Sequence, residues 1–187
     1  MSAGKSALFI DGQGLHHAAK ALNFEVDYKR LMAEFERRGP LLRAYYYTTV
    51  FETEDFSAVR PLLDWLTYNG FTVRTMLLRD HDDGEGRRRS KRNVGVDLAI
   101  DAMETAGYVD NIYLFSGDGD FRSLVEALQR RGVFVTVVST LRSKPAPMVA
   151  DDLRRQADAF LELDDLKVAI SRQASKPSPR RQAPTIS

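Results

Sequence analysis

The sequence contains no cysteine. This absence excludes disulfide bonds, thiolate nucleophiles, zinc fingers and iron–sulfur clusters. The chain also has no apolar run near the roughly 18 residues of a membrane span. Its first apolar run, at 7–10, is too short for the core of a signal peptide. We therefore expect a cytoplasmic protein that does not bind membranes.

The chain also has almost no net charge, because its 27 lysines and arginines nearly balance its 26 acidic residues. Four of these bases, and no acid, lie in residues 171–187, which leaves 23 bases against the 26 acids in residues 1–170. The last seventeen residues are rich in proline and serine and contain almost nothing apolar. Such a composition predicts a disordered basic tail after a single domain at 1–170. A mildly acidic domain does not indicate general nucleic-acid binding, so any such site must be local.

Strand and helix patterns alternate along the whole domain. Strands are predicted at 6–10, 41–50, 71–78, 111–115, 133–139 and 160–163. Helical patterns fill the intervals: the first begins near Leu15, and others lie at 27–38, 55–69, 96–106, 121–131 and 148–157. This order predicts an α/β fold with three layers, in which helices cover both faces of a mainly parallel central sheet.

Carboxylates follow two of these strands directly. Asp11 ends the first strand, and Asp118 and Asp120 follow the strand at 111–115, while Asp97 begins the helix after a charged segment. Ligands of parallel sheets bind beyond the carboxyl ends of the strands. A helix-capping role explains Asp11 as well as a ligand-binding role does. Asp118 and Asp120 are harder to explain by capping, because a helix needs only one such cap.

The same helix carries two further acids, Asp101 and Glu104, which we expect on a solvated face.

Several carboxylates at one edge need a cation or a proton, since two of them about 4 Å apart repel by roughly 4 kcal/mol at an effective dielectric near 20. Oxygen ligands of this kind suit Mg²⁺ or Mn²⁺. A metal held this way binds phosphate and activates water, which makes a phosphodiester the natural substrate.

Three motifs, FIDGQGL (9–15), GVDLAIDAME (95–104) and SGDGDF (116–121), resemble those of the NYN domain, specifically its bacterial LabA-like branch. The resemblance extends over about residues 5–166. It implies a PIN-like nuclease fold with acidic residues gathered at one edge of a parallel sheet. It also implies cleavage of RNA, single-stranded rather than duplex, by water activated on Mg²⁺ or Mn²⁺.

Carried over residue by residue, the resemblance makes Asp11, Asp97, Asp118 and Asp120 the catalytic, metal-binding set. Asp11 and Asp118 would ligate the metal directly, and Asp97 and Asp120 directly or through water. Ser116 would face the metal or the phosphate.

One departure favours a second hypothesis. The family usually has asparagine three residues after the first aspartate, where this chain has Gly14. The alternative is an RNA-binding or regulatory module of the same fold with weak or absent turnover. A third possibility, a phosphatase of the haloacid dehalogenase type, needs a second aspartate two residues after Asp11, and that position is Gln13. The sequence also leaves open whether the chain forms a homo-oligomer.

Other polar residues have two interpretations each. Five bases stand in six positions at 87–92, namely Arg87, Arg88, Arg89, Lys91 and Arg92. We expect them to bind RNA phosphates; the less favoured interpretation is a solvated loop whose charge is balanced by the acids at 80–85. We expect Tyr45, Tyr46 and Tyr47 to pack in the core rather than to stack on an RNA base. His16 and His17 are expected on a helix surface, with a phosphate contact as the less favoured role.

Overall fold

The structure, a computed structural model, describes residues 4–51, 55–78 and 93–173. Within them the predicted alternation is confirmed. The strands are β1 (Ser6–Asp11), β2 (Leu41–Phe51), β3 (Phe71–Leu78), β4 (Asn111–Phe115), β5 (Phe134–Ser139) and β6 (Ala159–Glu162). The helices are α1 (Gly12–Ala21), α2 (Tyr28–Glu36), α3 (Asp55–Tyr68), α4 (Val94–Thr105), α5 (Arg122–Arg130), α6 (Asp151–Gln156) and α7 (Leu163–Ile170).

All six strands of the sheet are parallel, in the order β3-β2-β1-β4-β5-β6. The chain builds outward from β1 to β3 and then returns to β4 on the other side of β1. The strand order therefore reverses between β1 and β4, which is where a parallel sheet opens a crevice at its carboxyl edge. Asp11 and Ser116 stand at this point, at the ends of the two neighbouring strands.

Helices cover both faces of the sheet, so the predicted three-layer α/β/α class is confirmed. One core lies between the sheet and α1, α2, α3 and α7, and contains Leu8, Ile10 and Phe115. The other lies between the sheet and α4, α5 and α6, and contains Phe9, Tyr47 and Leu114. Because strand residues alternate between the faces, Asp11 follows Phe9 onto the side that α4 covers.

Several elements differ from the expected bounds by up to three residues; α6, for example, begins at Asp151 rather than at 148. Two further differences have a clear physical reason. Helix α1 begins at Gly12, three residues before Leu15, because the Asp11 side chain accepts the Gly14 N–H and caps the helix. Helix α7 was not predicted; it is only eight residues long, and it buries Leu163, Leu166 and Ile170 against α2 and the sheet.

Several sequence predictions fall on other parts of the chain. The five bases at 87–92 and residues 174–187 of the tail lie outside the described residues. Ser171 pairs with Val26, and the Arg172 N–H donates to the Glu25 carbonyl at 2.8 Å. The domain boundary at 170 and the cytoplasmic location stay predictions. Among the described helices, none is both long and apolar enough to cross a bilayer.

Candidate active site at the carboxyl edge of the sheet

Asp11 is held by two hydrogen bonds where β1 passes into α1. Its Oδ1 accepts the Gly14 N–H at 3.0 Å, and its Oδ2 accepts the Ser116 hydroxyl at 3.1 Å. The capping interpretation of Asp11 is therefore correct. The bond to Ser116 shows that the carboxylate also faces the neighbouring strand end, so capping and a site role are compatible.

Ser116 connects Asp11 to the other acidic loop. The Asp118 N–H donates to the Ser116 hydroxyl oxygen at 3.2 Å, and the Asp118 carboxylate accepts the Asp120 N–H at 3.0 Å. This second bond caps a short 3₁₀ helix at Gly119–Phe121 that leads into α5. Ser116 is buried, whereas Asp118 and Asp120 are exposed. A continuous chain of hydrogen bonds thus joins Asp11, Ser116, Asp118 and Asp120 at one edge of the sheet.

Asp97 lies apart from this chain of hydrogen bonds. It is exposed in the first turn of α4. Its charge acts on Arg74 of β3, where it contributes, after the larger influence of Asp101, to raising the pKa of that guanidinium. The structure therefore brings Asp11, Ser116, Asp118 and Asp120 together and leaves Asp97 outside their hydrogen bonds.

The expectation that Asp101 lies on a solvated face is wrong. Asp101 is only 7% exposed. Its carboxylate accepts the Tyr47 hydroxyl at 2.8 Å and both Nε and Nη2 of Arg74 at 3.0 Å. Burial, and then the hydrogen bond to Asp101, raise the pKa of the Tyr47 phenol. Glu104 is exposed, as expected.

Sequence reasoning missed Arg74, which belongs to this edge. Asp11 of β1 pairs with Tyr47 of β2, and Tyr47 pairs with Arg74 of β3, so the three residues form one row across the sheet. Neighbouring strands are about 4.8 Å apart, which places the Arg74 backbone about 10 Å from that of Asp11. An arginine inside the apolar strand FTVRTMLL was the available signal, because a charge there needs a partner.

A second residue that sequence reasoning missed is Asp152, in the first turn of α6. Its Oδ1 would lie 3.3 Å from a Cβ placed on Gly119, so it borders the loop that carries Asp118 and Asp120. The two loops pack closely. The Ala150 N–H donates to the Gly117 carbonyl at 2.9 Å, and a Cβ on Gly117 would lie 1.6 Å from the Met148 carbonyl oxygen. Only glycine fits at that position.

The acidic edge has no built-in counterion in the described part of the chain. No lysine or arginine there forms an ion pair with Asp11, Asp118 or Asp120. Nor do three or more acidic or histidine side chains in residues 4–51, 55–78 and 93–173 form a group already arranged to hold a metal. The donors present are carboxylate and hydroxyl oxygens, which are the ligands that Mg²⁺ and Mn²⁺ prefer.

Comparison with known proteins agrees with this architecture. The NYN domain matches residues 5–164 of the chain. The chain belongs to the NYN domain family. The family resemblance noted from the three acidic motifs is thereby confirmed. NYN proteins are a PIN-like nuclease family, and nucleases of this kind generally use divalent metals.

Two relatives of this NYN chain cover nearly all of it. Low amplitude and bright protein LabA of Synechococcus elongatus is 35% identical over 184 residues, 96% of this chain and 94% of LabA. A crystal structure of a protein of unknown function, VPA0982 of Vibrio parahaemolyticus, superposes with a TM-score of 0.68 at 28% identity. That superposition covers 87% of this chain and 94% of the other.

Gly14, where the family resemblance leads us to expect an asparagine, has a structural explanation. A Cβ on Gly14 would lie 2.5 Å from Oδ2 of Asp11 and 3.0 Å from its Cγ. An asparagine there would force the Asp11 carboxylate into another position. In this NYN domain the carboxylate instead rests over the Gly14 N–H and reaches Ser116.

An open groove of about 510 Å³ runs from this acidic edge along α4 and α5. Asp118 and Asp120 lie at one end of it, and apolar side chains such as Val96, Ile100 and Leu124 form its walls. Val96 and Ile100 are about half exposed, at 57% and 52%. The acidic edge is therefore open to a large ligand rather than enclosed.

Proposed function

We propose that this NYN protein is a metal-dependent ribonuclease that hydrolyses phosphodiester bonds of single-stranded RNA. The proposal rests on one observation above the others. In a chain of this family, a buried serine hydroxyl joins Asp11 to the Asp118 loop at the point where the strand order reverses.

The proposed roles are those that the family resemblance implies for these donors. Asp11 and Asp118 would ligate Mg²⁺ or Mn²⁺ directly, and Asp97 and Asp120 would complete the site directly or through water. The bound metal would supply a water of lowered pKa and a Lewis acid for the phosphate. Ser116 keeps the two ligand loops in register because it both donates to Asp11 and accepts from the Asp118 N–H.

Positive charge for the RNA would come from outside the acidic edge. The five bases at 87–92 (Arg87, Arg88, Arg89, Lys91 and Arg92) precede Asp97 closely in sequence. In this proposal they neutralise phosphates that flank the scissile bond. Their replacement by serine should reduce the salt dependence of RNA binding.

The test compares Asp118→Asn with the wild-type protein on a labelled single-stranded RNA, with Mn²⁺, with Mg²⁺ and with EDTA. We expect cleavage by the wild type that needs the metal, and a loss of at least about 100-fold in the variant, since a ligand to the activating ion is removed. Asp64→Asn is the matched control, because Asp64 is 60% exposed on α3 and meets Arg60 only at 3.8 Å. Calorimetric titration with Mn²⁺ should show the same loss of binding in Asp118→Asn without any RNA present.

A second candidate is an RNA-binding module of the same fold without turnover. The observation in its favour is Gly14, where the side chain usual in the family is missing. Binding of RNA by the wild type and by Asp118→Asn alike, with no products from either at any metal concentration, would establish the module and overturn the ribonuclease.

A further inference from the structure

A second cavity lies on the opposite face of the sheet from the 510 Å³ groove. It has a volume of about 680 Å³ and is bounded by α1, the end of β2 and α3. We call it the α1 cavity. Gly12 and Gln13, the two residues that follow Asp11, lie on its rim, so it opens beside the acidic edge.

Four of the side chains that line the α1 cavity are basic, and the others are mostly apolar or uncharged. Its described lining contains one lysine, one arginine and two of the three histidines of the chain, namely Lys20, Arg172, His16 and His17. The one acid in that lining is Glu25, which contacts Arg172 at 3.4 Å. Since residues 1–170 carry more acids than bases, this concentration of basic groups is local.

Three of these groups, together with Gln13, form a stripe along α1. Gln13, His16, His17 and Lys20 follow the spacing i, i+3, i+4 and i+7 and are all exposed, while Leu15, Ala18 and Ala19 face the core. The stripe begins two residues after Asp11 and extends about 10 Å down the helix. Packing requires only that these exposed positions be polar. It does not explain why two of them are histidines and a third is a lysine, whose N–H groups can donate to a ligand.

Aromatic and hydroxyl groups form the interior of the same cavity. Tyr28 and Tyr46 meet edge to face with ring centroids 5.4 Å apart, and Phe24, Thr48 and Thr49 also line it. Basic side chains at the rim and rings within are the combination that binds single-stranded nucleic acid, with the phosphates on the former and a base against the latter. The volume lies within the range of about 300–1,000 Å³ that small ligands such as a nucleotide occupy.

We propose that the α1 cavity binds one nucleotide of a single-stranded RNA beside the scissile phosphate, with His16, His17 and Lys20 contacting the phosphates. This assignment extends the proposed ribonuclease function and rests on it for the identity of the strand. Two features carry it: the exposed N–H donors of His16, His17 and Lys20 at the rim, and the continuity of their stripe with Asp11. A base held in a duplex is already paired and stacked, so the cavity also favours single strands.

The test measures binding without cleavage, by fluorescence anisotropy of a labelled single-stranded RNA in EDTA. The variant is His16→Gln/His17→Gln/Lys20→Gln, and the matched control is Lys29→Gln/Arg130→Gln, which removes exposed bases on α2 and α5. We expect the triple variant to raise Kd at least about fivefold and to lower the salt slope by about 0.7 for each phosphate that the protein no longer neutralises. The control should stay within about twofold of the wild type, and thermal melts should verify that both variants fold.

The outcomes separate this proposal from the nuclease. If the wild type cleaves RNA but the triple variant binds it with the same Kd and salt slope, the α1 cavity is not the binding site and the ribonuclease stands. If the triple variant loses binding while no protein cleaves, the cavity stands and the ribonuclease fails. Equal affinity of the wild type for the matching duplex would overturn the placement of a base in the cavity.

Discussion

Replacing Arg74 with methionine removes the cationic partner of the buried Asp101 carboxylate and retains most of the apolar length of the side chain. Two hydrogen bonds of 3.0 Å disappear, and the Tyr47 hydroxyl at 2.8 Å becomes the remaining side-chain donor to that carboxylate among the described residues. The Asp101 side chain is 9% exposed, so water replaces the missing donors poorly. The folded state should therefore be destabilised.

The magnitude follows from the exposure of the two partners. Breaking a fully buried ion pair costs about 3–5 kcal/mol, whereas a solvent-exposed pair contributes about 0–1 kcal/mol. Asp101 is buried but the Arg74 side chain is 53% exposed, which places this pair between the two limits. We expect Arg74→Met to lower the free energy of unfolding by about 2 kcal/mol, near the value for hydrogen bonds to a charged group. The Tm should fall by about 4–8 °C in a domain of this size.

Urea denaturation followed by circular dichroism measures the difference. Arg60→Met is the matched control, since Arg60 is 66% exposed and meets Asp64 at 3.8 Å within one helix. It should cost no more than about 0.5 kcal/mol. Arg74→Lys should fall between the two, because an ammonium cannot reproduce the paired bonds of the guanidinium. Equal losses in Arg74→Met and Arg60→Met would refute the argument that burial of Asp101 makes this pair important.

Two further predictions concern stability. Burial raises the pKa of Glu34, but hydrogen bonds from Arg37 and Arg38 outweigh it and leave that pKa below its usual value. The Glu34 carboxylate should therefore stabilise the fold above the unfolded pKa of about 4.3, and this stabilisation should be lost as the pH falls through the folded pKa. In urea titrations, the difference in free energy of unfolding between wild type and Glu34→Gln should shrink from pH 6 to pH 3. A constant difference would contradict the assignment. Gly117→Ala should cost about 3 kcal/mol or more, because its Cβ would lie 1.6 Å from the Met148 carbonyl oxygen. Gly107→Ala, where nothing lies within 4 Å of the added Cβ, is the comparison, and similar melting temperatures for both variants would refute the steric argument.

Local patterns were sufficient for most of the fold. β3 and β4 occupy the predicted residues 71–78 and 111–115, since their apolar and β-branched runs are bounded by helix-ending and turn signals. The three aspartates at strand ends were identifiable because parallel strands bring their carboxyl ends to one edge. The expectation of buried tyrosines at 45–47 holds for Tyr46 and Tyr47, and Tyr45 packs partly buried against Phe9.

Burial and partners of individual side chains were not readable in the same way. The charge of Asp101 favoured a surface position, although residues 98, 101, 102 and 105 have the spacing of the buried face of α4. Its partners Tyr47 and Arg74 are decided by the position of α4 over β2 and β3. Helix α7 was not predicted for the same reason. A helix of eight residues depends on the surface that it packs against more than on its own helix propensity.

For this protein the sequence by itself determined the order of strands and helices, the parallel sheet and the aspartates at its carboxyl edge. These depend on periodicity and chain connectivity, which are local properties. Only the tertiary structure decided that Ser116 joins Asp11 to Asp118, that Arg74 pairs with Asp101 and that a cavity with basic residues on its rim opens beside α1. Each of these links residues at least 27 positions apart, or residues of separate elements. Their meeting depends on strand register and helix packing, which no local pattern contains.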